Sequence, residues 1–256
     1  MDNKLDLSVA IITFNEESRL GATLESIYDI ASEIVVIDSF SQDNTTAVAE
    51  KYGAKVFQEE WKGFTAQKNS LTSKCSHNFI LYLDADEVIS HELKNEIIRA
   101  VKEPKAAGYY LRRKTHYLGK LLNYSWQKDE RLRLVKKSAE PLWKGELVHE
   151  ELFINGKTSI LNGYIIHYSY KDIKDHFTKT INYAYLSAKS YYIKGKKPSI
   201  SKLIFSPVFS FIKLYILKKG FLDGLRGLIA GFSAYVYVFL KYAFLWEMYL
   251  SKKEQG

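Results

Sequence analysis

The sequence has one cysteine, Cys75, in 256 residues. A single thiol forms no intramolecular disulfide and no thiolate metal site by itself, so we predict a protein of a reducing compartment. The N-terminal segment lacks the charged and apolar regions of a secretory signal, and we therefore expect no export. No Gly-x-Gly-x-x-Gly or Gly-x-x-x-x-Gly-Lys-Ser/Thr motif occurs, which argues against a dinucleotide site and a P-loop.

Acidic residues are scarce near the C-terminus. Residues 194–256 contain 11 Lys and Arg against 3 Asp and Glu, whereas residues 1–193 contain 26 of each, so the net charge of +8 lies in the last quarter. Between Ser201 and Leu250 the apolar stretches are interrupted by charges, and none reaches the roughly 18–20 uninterrupted apolar residues that a membrane span needs. We therefore expect the segment not to cross the bilayer. This basic, aromatic segment is expected to lie on a membrane surface and not to bind nucleic acid. The alternative is a helical pair packed on the rest of the protein.

Alternation of strands and helices dominates the first third of the chain. Apolar runs of strand length occupy Ser8–Thr13, Glu33–Asp38, Ala54–Phe57 and Asn78–Leu83. Between them, Glu17–Ile30 has an apolar helical face, and Ser41 is predicted to cap a helix that Gly53 closes. Continuous Val, Ile and Leu in the strands is typical of a sheet covered on both faces. The sequence therefore predicts an α/β fold with a parallel sheet.

Polar segments follow three of these strands, at Thr13–Glu17, Asp38–Asn44 and Asp84–Glu87. Ligands of open α/β sheets bind beyond the carboxyl ends of the strands, so we expect these loops to meet in one crevice. Alternate carboxylates at Asp84 and Asp86 are suited to a divalent metal that neutralises a diphosphate leaving group. The alternative is that they turn the chain and cap a helix near Ser90.

The other two loops offer candidate ligands for a nucleotide. Asp38 is able to accept a hydrogen bond from a uracil imide, or else it forms a local turn. Thr13, Asn15 and Glu16 have the same two interpretations. Arg131 and Arg133, two apart on a strand-like run, are expected to point the same way, either toward phosphates or along a solvated sheet edge.

Several motifs together resemble glycosyltransferase family 2, and most closely its bacterial lipopolysaccharide-core β-glucosyltransferases. They are Val-Ala-Ile-Ile-Thr-Phe-Asn-Glu-Glu, Val-Val-Ile-Asp-Ser-Phe-Ser-Gln-Asp-Asn-Thr, Gln67–Asn69, Leu-Asp-Ala-Asp-Glu, Arg131–Leu134, Val148–Glu150 and Gly220–Gly224. The resemblance covers nearly the whole chain. It implies a GT-A fold, an inverting reaction and a divalent metal, Mg²⁺ or Mn²⁺.

The resemblance also implies roles for single residues. Asp38 would contact the nucleotide base, Asp84 the ribose or metal, and Asp86 the metal. Gln67 and Asn69 would lie near the donor on the helix before the fourth strand, or form a solvated helix face. His167 would complete the metal shell, as a late histidine does in some GT-A enzymes, or be structural.

The family typically has a Glu-Asp pair where this chain has Glu150-Glu151. In an inverting transfer one carboxylate removes the proton of the attacking acceptor hydroxyl. We predict Glu150 as this base, because it follows Val148 and His149 in the position that the resemblance assigns to the family's acid. Glu151 points to the opposite face if the stretch is extended. The alternative is surface charge on a strand.

We expect residues 1–195 to form the GT-A catalytic domain and residues 196–256 a helical, membrane-associating appendage. The predicted reaction moves a hexose, glucose from UDP-glucose, onto a lipid-linked saccharide acceptor, a heptose of the lipopolysaccharide inner core. The predicted location is cytoplasmic, peripheral on the inner face of the bacterial inner membrane. Competing functions are a nucleotidyltransferase and a non-catalytic membrane-surface binding module.

Overall fold

The computed structural model describes residues 4–126, 129–145 and 150–254. Two compact units are present, Met1–Lys114 with Lys128–Tyr168 and Thr115–Gln127 with Ser169–Gly256. The units divide at Tyr168 and not at residue 195, because the long helix after Tyr168 packs with the C-terminal helices. The functional division of the chain into a catalytic domain and an appendage stays a prediction.

The strands are β1 Leu5–Thr13, β2 Ala31–Asp38, β3 Lys55–Gln58, β4 Phe79–Asp84, β5 Glu87–Ile89, β6 Gly108–Tyr117, β7 Lys120–Leu121, β8 Asp129–Lys136, β9 Leu142–Lys144, β10 Glu151–Phe153, β11 Thr158–Ile160 and β12 Ile165–His167. The helices are α1 Glu17–Glu25, α2 Thr45–Lys51, α3 Phe64–Lys74, α4 His91–Lys102, α5 Ile173–Ile193, α6 Ile200–Ile212 and α7 Leu225–Glu254.

The four predicted strands form a parallel sheet in the order β3-β2-β1-β4. Its two faces are both covered, as the continuous apolar pattern predicts. Val9 and Ile11 belong to the core that includes Leu20 of α1 and Leu93 of α4. Ala10 belongs to a second core with Leu71 of α3. The α/β prediction is confirmed.

Antiparallel strands extend this sheet beyond β4. β8 pairs with β4 and with β6, while β12 pairs with β5. β9 and β10 form a separate two-stranded sheet. This extension brings late parts of the chain next to the carboxyl end of β4.

Two local predictions need correction. α1 ends at Glu25 and not at Ile30. Ser41 does not begin α2, which starts at Thr45; its backbone N–H donates to Asp38 and its hydroxyl also contacts that carboxylate. Ser41 therefore hydrogen-bonds to the Asp38 carboxylate at the end of β2 and does not cap the helix.

The second unit consists mainly of α5, α6 and α7, with a π-helical segment, Lys213–Leu217, after α6. Asp223 fastens the segment before β8 to the start of α7, because its carboxylate accepts backbone N–H groups of Asn123, Tyr124 and Ser125 at 2.9, 3.2 and 2.7 Å. Gly227 permits the close approach of this turn, since a Cβ there would lie 1.8 Å from the Gly220 carbonyl oxygen.

The C-terminal helices are more continuous and more apolar than the sequence analysis expected. Ile200–Leu217 and Leu225–Ser251 are each long and apolar enough to cross a membrane, by length and composition, with a mean hydropathy of 1.6. As expected, neither segment is free of charged residues, but both helices continue through single charges such as Lys202 and Lys241. The expectation that the segment lies on a membrane and does not cross it stays a prediction. Little of either segment is buried.

Candidate active site

The end of β1 lies beside the end of β2, where Thr13 pairs in register with Asp38. Asp38 is fully buried, and its carboxylate accepts the Ser41 backbone N–H at 2.8 Å. Asn15 joins the same two loops, because its Oδ1 accepts from Gln42 N and its own N–H donates to Ser41 Oγ, both at 2.8 Å. The two loops therefore form one connected edge of the sheet, as predicted.

Two buried polar atoms at this edge have no hydrogen-bond partner among the described residues, Thr13 Oγ1 and Gln67 Oε1. Gln67 is fully buried on α3, and its Nε2 lies 3.5 Å from Ser39 Oγ. Unsatisfied buried polar groups are costly, so a bound water, ion or ligand that hydrogen-bonds to them is stabilised. The edge thus fits a ligand with hydrogen-bonding atoms, such as a nucleotide base.

Two of the residues predicted beside the donor have other partners. The carboxylate of Glu16 forms a bidentate pair with Arg19 at 2.5 and 2.6 Å. The side-chain amide of Asn69 exchanges two 2.9 Å hydrogen bonds with the backbone of Trp143. Asn69 therefore supports β9, a role that the sequence did not indicate.

A network of buried ions surrounds Asp84 at the end of β4. Arg133 Nη2 lies 2.9 Å from Asp84 and 3.2 Å from Glu87, while Arg113 Nη1 lies 3.1 Å from Glu87. Lys68 Nζ approaches Asp84 to 3.6 Å. Because three cations meet the carboxylate of Asp84, the structure favours Asp86 over Asp84 as a metal ligand.

The charges in this network determine its protonation. Burial by itself raises the pKa of Asp84, but Arg133, Lys68 and Arg113 outweigh it and hold that pKa well below the usual range. Burial likewise opposes the charge of Arg133, and the neighbouring carboxylates of Asp84 and Glu87 nevertheless raise its pKa. Asp84 and Arg133 are thus both charged at neutral pH.

The two arginines of β8 do not point the same way, which corrects the prediction. Arg131 is exposed and binds Asp129 at 2.7 Å, whereas Arg133 is buried. The pairing of β6 with β8 shifts between Tyr109 and Tyr110, leaving Arg133 as an extra residue. A β-bulge of this kind redirects a side chain, here toward the carboxylates of Asp84 and Glu87.

Asp86 and His167 meet through the pairing of β5 with β12. Their Oδ2 and Nε2 atoms lie 3.5 Å apart, and both side chains are largely buried. Arg19 Nη1 is 3.7 Å from the same carboxylate. Among the described residues no group of three or more His, Cys, Asp and Glu side chains is arranged to hold a metal.

One carboxylate and one imidazole are nevertheless a suitable partial donor set. Mg²⁺ in nucleotide sites takes one or two carboxylates and completes its shell with phosphates and water, and Mn²⁺ also accepts imidazole. Asp86 and His167 therefore fit a metal that shares a bound diphosphate.

Of the two candidate bases, the structure brings Glu150 to this site. Glu150 immediately precedes β10, and its Oε1 lies 2.9 Å from Lys68 Nζ. Glu151 is exposed and pairs in register with Lys144 of β9. Val148 and His149 of the predicted motif lie outside the described residues.

Sequence reasoning missed four site residues, Arg19, Lys68, Glu87 and Arg113. Lys68 stands between two predicted residues, Gln67 and Asn69, but a lysine on a helix is ordinarily a solvated side chain. Glu87 follows the Asp-Ala-Asp motif directly. For Lys68 and Glu87, the position beside a motif was therefore the signal available in the sequence. Their burial and their ion pairs are visible only in the structure.

Curated relatives align along nearly the whole chain. The lipopolysaccharide core biosynthesis glycosyltransferase LpsC of Rhizobium meliloti is 30% identical over 97% of this chain and 95% of the relative. A glycosyltransferase of Rickettsia felis is 31% identical over 96% of this chain and 92% of the relative.

Solved structures of transferases share the fold. The mannosyltransferase PcManGT from Pyrobaculum calidifontis, in complex with GDP-Man and Mn²⁺, has a TM-score of 0.56 at 13% identity and covers 95% of this chain and 88% of its own. S. aureus TarS 1–349 has a TM-score of 0.51 at 15% identity and covers 96% and 91%. At this identity the likeness concerns the fold alone, and it confirms the GT-A prediction.

The family model described as glycosyl transferase family 2 matches residues 8–154. That range contains the end of each parallel strand, the ion network around Asp84 and both candidate bases. The resemblance of the motifs is thereby confirmed, and the chain belongs to glycosyl transferase family 2.

Proposed function

We propose that the chain is a metal-dependent inverting glycosyltransferase that moves glucose from UDP-glucose onto a saccharide of the lipopolysaccharide inner core. One observation carries the proposal: three features lie at the same edge of the sheet. They are the buried polar side chains of Thr13, Asp38 and Gln67, the Asp86–His167 pair, and Glu150. The alignment with LpsC, named for lipopolysaccharide core biosynthesis, supports the acceptor class.

The donor nucleotide occupies the edge formed by β1, β2 and α3. Asp38 accepts the imide N–H of uracil, and the unsatisfied Thr13 Oγ1 and Gln67 Oε1 gain partners from the nucleoside. A structure of TarS in complex with UDP-GlcNAc supports a UDP-sugar for this fold. The hexose and its identity as glucose rest on the motif resemblance.

Asp86 and His167 would hold the divalent metal, and a metal bound there supplies positive charge to the diphosphate leaving group. The complex of PcManGT with GDP-Man and Mn²⁺ supports this choice of cofactor. Asp86 provides the charged oxygen ligand and His167 a neutral nitrogen ligand. Arg19, 3.7 Å from Asp86, fixes the orientation of that carboxylate.

Glu150 acts as the general base. The acceptor hydroxyl oxygen attacks the anomeric carbon, its proton passes to a Glu150 carboxylate oxygen, and the bond from the anomeric carbon to the diphosphate oxygen breaks. One displacement from the opposite side inverts the anomeric configuration. No covalent sugar–enzyme intermediate is formed.

Membrane contact is proposed for the connection between α6 and α7. Lys213, Lys218 and Lys219 are exposed there, beside exposed apolar residues such as Leu217 and Leu225. Basic side chains next to an apolar surface fit an anionic lipid surface. The proposal places the protein on the cytoplasmic face of the bacterial inner membrane, where a lipid-linked acceptor is presented.

The test is a screen of nucleotide sugars with the purified full chain and an inner-core saccharide, with and without Mn²⁺. We expect UDP release and a β-linked product from UDP-glucose, and none after EDTA. Transfer of a nucleotidyl group would instead support the nucleotidyltransferase alternative. Liposome binding without any donor cleavage would support the non-catalytic module.

A further inference from the structure

Lys68 of α3 is 5% exposed, which is unusual for a lysine. A buried ammonium group needs carboxylate or other polar partners to offset its desolvation. Its Nζ lies 2.9 Å from Glu150 Oε1 and 3.6 Å from Asp84 Oδ1. One cation thus connects the candidate base with the carboxylate that ends β4.

An aromatic ring limits where this ammonium group can move. Lys68 Nζ lies 4.5 Å from the centroid of the Trp143 ring, and the Trp143 backbone is held by both ends of the Asn69 amide. A cation over a tryptophan face gains further electrostatic attraction in a desolvated site. The Lys68 ammonium group is therefore held by the Trp143 ring as well as by the Glu150 carboxylate.

The surrounding contacts place this arrangement on one face of α3. Thr65, Lys68 and Asn69 are spaced three and four residues apart, so they share a helix face. Thr65 Oγ1 donates to the Gly145 carbonyl at 3.0 Å, Asn69 binds Trp143, and Lys68 binds Glu150. All three contacts reach the segment that carries β9 and leads to β10.

We propose that Lys68 is the positioning residue of the general base, holding the Glu150 carboxylate in its reactive orientation. The inference rests on the proposed role of Glu150 and adds a residue to it. A free glutamate has several rotamers, and a misplacement of about 1 Å can cost roughly 10²-fold in rate. Among the described residues, the contact with Lys68 is the ion pair of the Glu150 carboxylate.

The test compares Lys68→Met with Lys74→Met in the full chain. Lys74 lies on the same helix and forms an ion pair of the same length, 2.9 Å, with Glu59. We expect Lys68→Met to lower kcat by roughly 10–10²-fold, with the Kd for UDP changed by less than about threefold. Lys74→Met should keep the wild-type kcat.

A double-mutant cycle separates positioning from general damage. In a Glu150→Gln background, Lys68→Met should cause little further loss of kcat, because the carboxylate that it orients is gone. Lys68→Arg tests the same point in a variant that retains the cation, and should lower kcat by a few fold without changing the Kd for UDP.

Unchanged kcat in Lys68→Met, a loss that multiplies with that of Glu150→Gln, or a loss confined to UDP affinity would each overturn the positioning role. If Lys68→Met does not fold, an unchanged kcat in Lys68→Gln, which also removes the cation, overturns it instead. Normal turnover by Glu150→Gln alone would refute the base assignment, which is a separate result.

Discussion

The two compact units of the molecule differ in charge and in what they expose. The first has 21 Lys and Arg against 24 Asp and Glu, a net charge of −3, whereas the second has 16 against 5, a net charge of +11. Large exposed apolar side chains are concentrated in the second, among them Ile200, Phe205 and Leu225 at 74%, 69% and 69% exposure. Excess positive charge and exposed apolar surface are thus both concentrated in the second unit.

Charged groups are also satisfied in different ways in the two units. In the first, buried side chains pair with each other, as Arg133 does with Asp84 and Glu87. In the second, Asp223 binds three backbone N–H groups and Arg226 binds the Leu118 carbonyl, although Lys179 also pairs with Asp175 at 3.1 Å. Ion networks can respond to a charged ligand, whereas backbone contacts mainly fix chain segments.

The largest effect is expected in the first unit, at Asp86 and His167, the two residues proposed to hold the metal. Asp86→Asn should reduce transfer by on the order of 10³-fold or more, because an amide lacks the charge that a divalent ion needs and several kcal/mol of stabilisation are lost. His167→Ala should raise the metal concentration needed for half-maximal activity. Both are measured by metal titration of the initial rate.

As a control, Asp86→Asn should keep the wild-type unfolding midpoint, since Asp86 is not part of the apolar core. Full activity of the wild-type chain in EDTA would show that this pair does not serve a metal.

The next effect concerns the two adjacent glutamates. Glu150→Gln should lower kcat by roughly 10²–10⁴-fold, the usual contribution of a general base, with donor affinity little changed. Glu151→Gln should be mild, because Glu151 is exposed on β10. A dead Glu151 variant beside an active Glu150 variant would exchange the two roles.

These two predictions show how far the sequence alone leads. The parallel sheet and the loops at its edge were predictable, because Val, Ile and Leu runs end in polar segments at Thr13, Asp38 and Asp84. Glu150 lies at the site and Glu151 is exposed, as the alternation of an extended stretch predicts, while the choice of Glu150 as the base stays a prediction. Local pattern suffices where a strand end determines what a residue faces.

Other parts of the site depend on tertiary structure. The pair of Asp86 with His167 joins residues 81 positions apart through β5 and β12, and here only motif resemblance suggested it. The bulge that turns Arg133 inward leaves no mark in an alternating pattern. Lys68 was missed because a helical lysine is ordinarily solvated, and only its burial reveals its partners.

A smaller effect is expected at the basic surface of the second unit. Replacing Lys213, Lys218 and Lys219 together by Gln should weaken binding to anionic liposomes by on the order of 10²-fold, because each lysine near a membrane contributes about 1 kcal/mol. Binding by the wild type should fall with added salt. Co-sedimentation with phosphatidylglycerol vesicles measures both.

The matched control replaces three exposed lysines of the first unit, Lys51, Lys102 and Lys105, by Gln. It removes the same charge and should leave liposome binding close to the wild type. Equal weakening by both triple variants would mean that net charge, and not the α6–α7 connection, attracts the membrane.

The smallest effect is a difference between the units in acid. Burial alone would raise the pKa of Glu33 in the first unit, but hydrogen bonds from Lys55, Ser8 and Ser76 lower it to about 2. Burial lowers the pKa of His176 in the second unit to about 4. In both cases the unfolded state binds protons more readily than the folded state does, so the free energy of unfolding decreases as the pH falls.

The two pH windows are nevertheless distinct. The contribution of Glu33 is complete above its ordinary pKa of 4.5 and is lost as the pH falls toward 2. The contribution of His176 is complete above its ordinary pKa of 6.5 and is lost as the pH falls toward its folded-state pKa of about 4. Urea unfolding at pH 7, 5 and 3 should show that His176→Gln removes pH dependence of on the order of 2–3 kcal/mol in the upper window, and Glu33→Gln a similar amount in the lower one. If both variants flatten the same window, acid acts on the chain as a whole, and the contrast between the units does not extend to their stability.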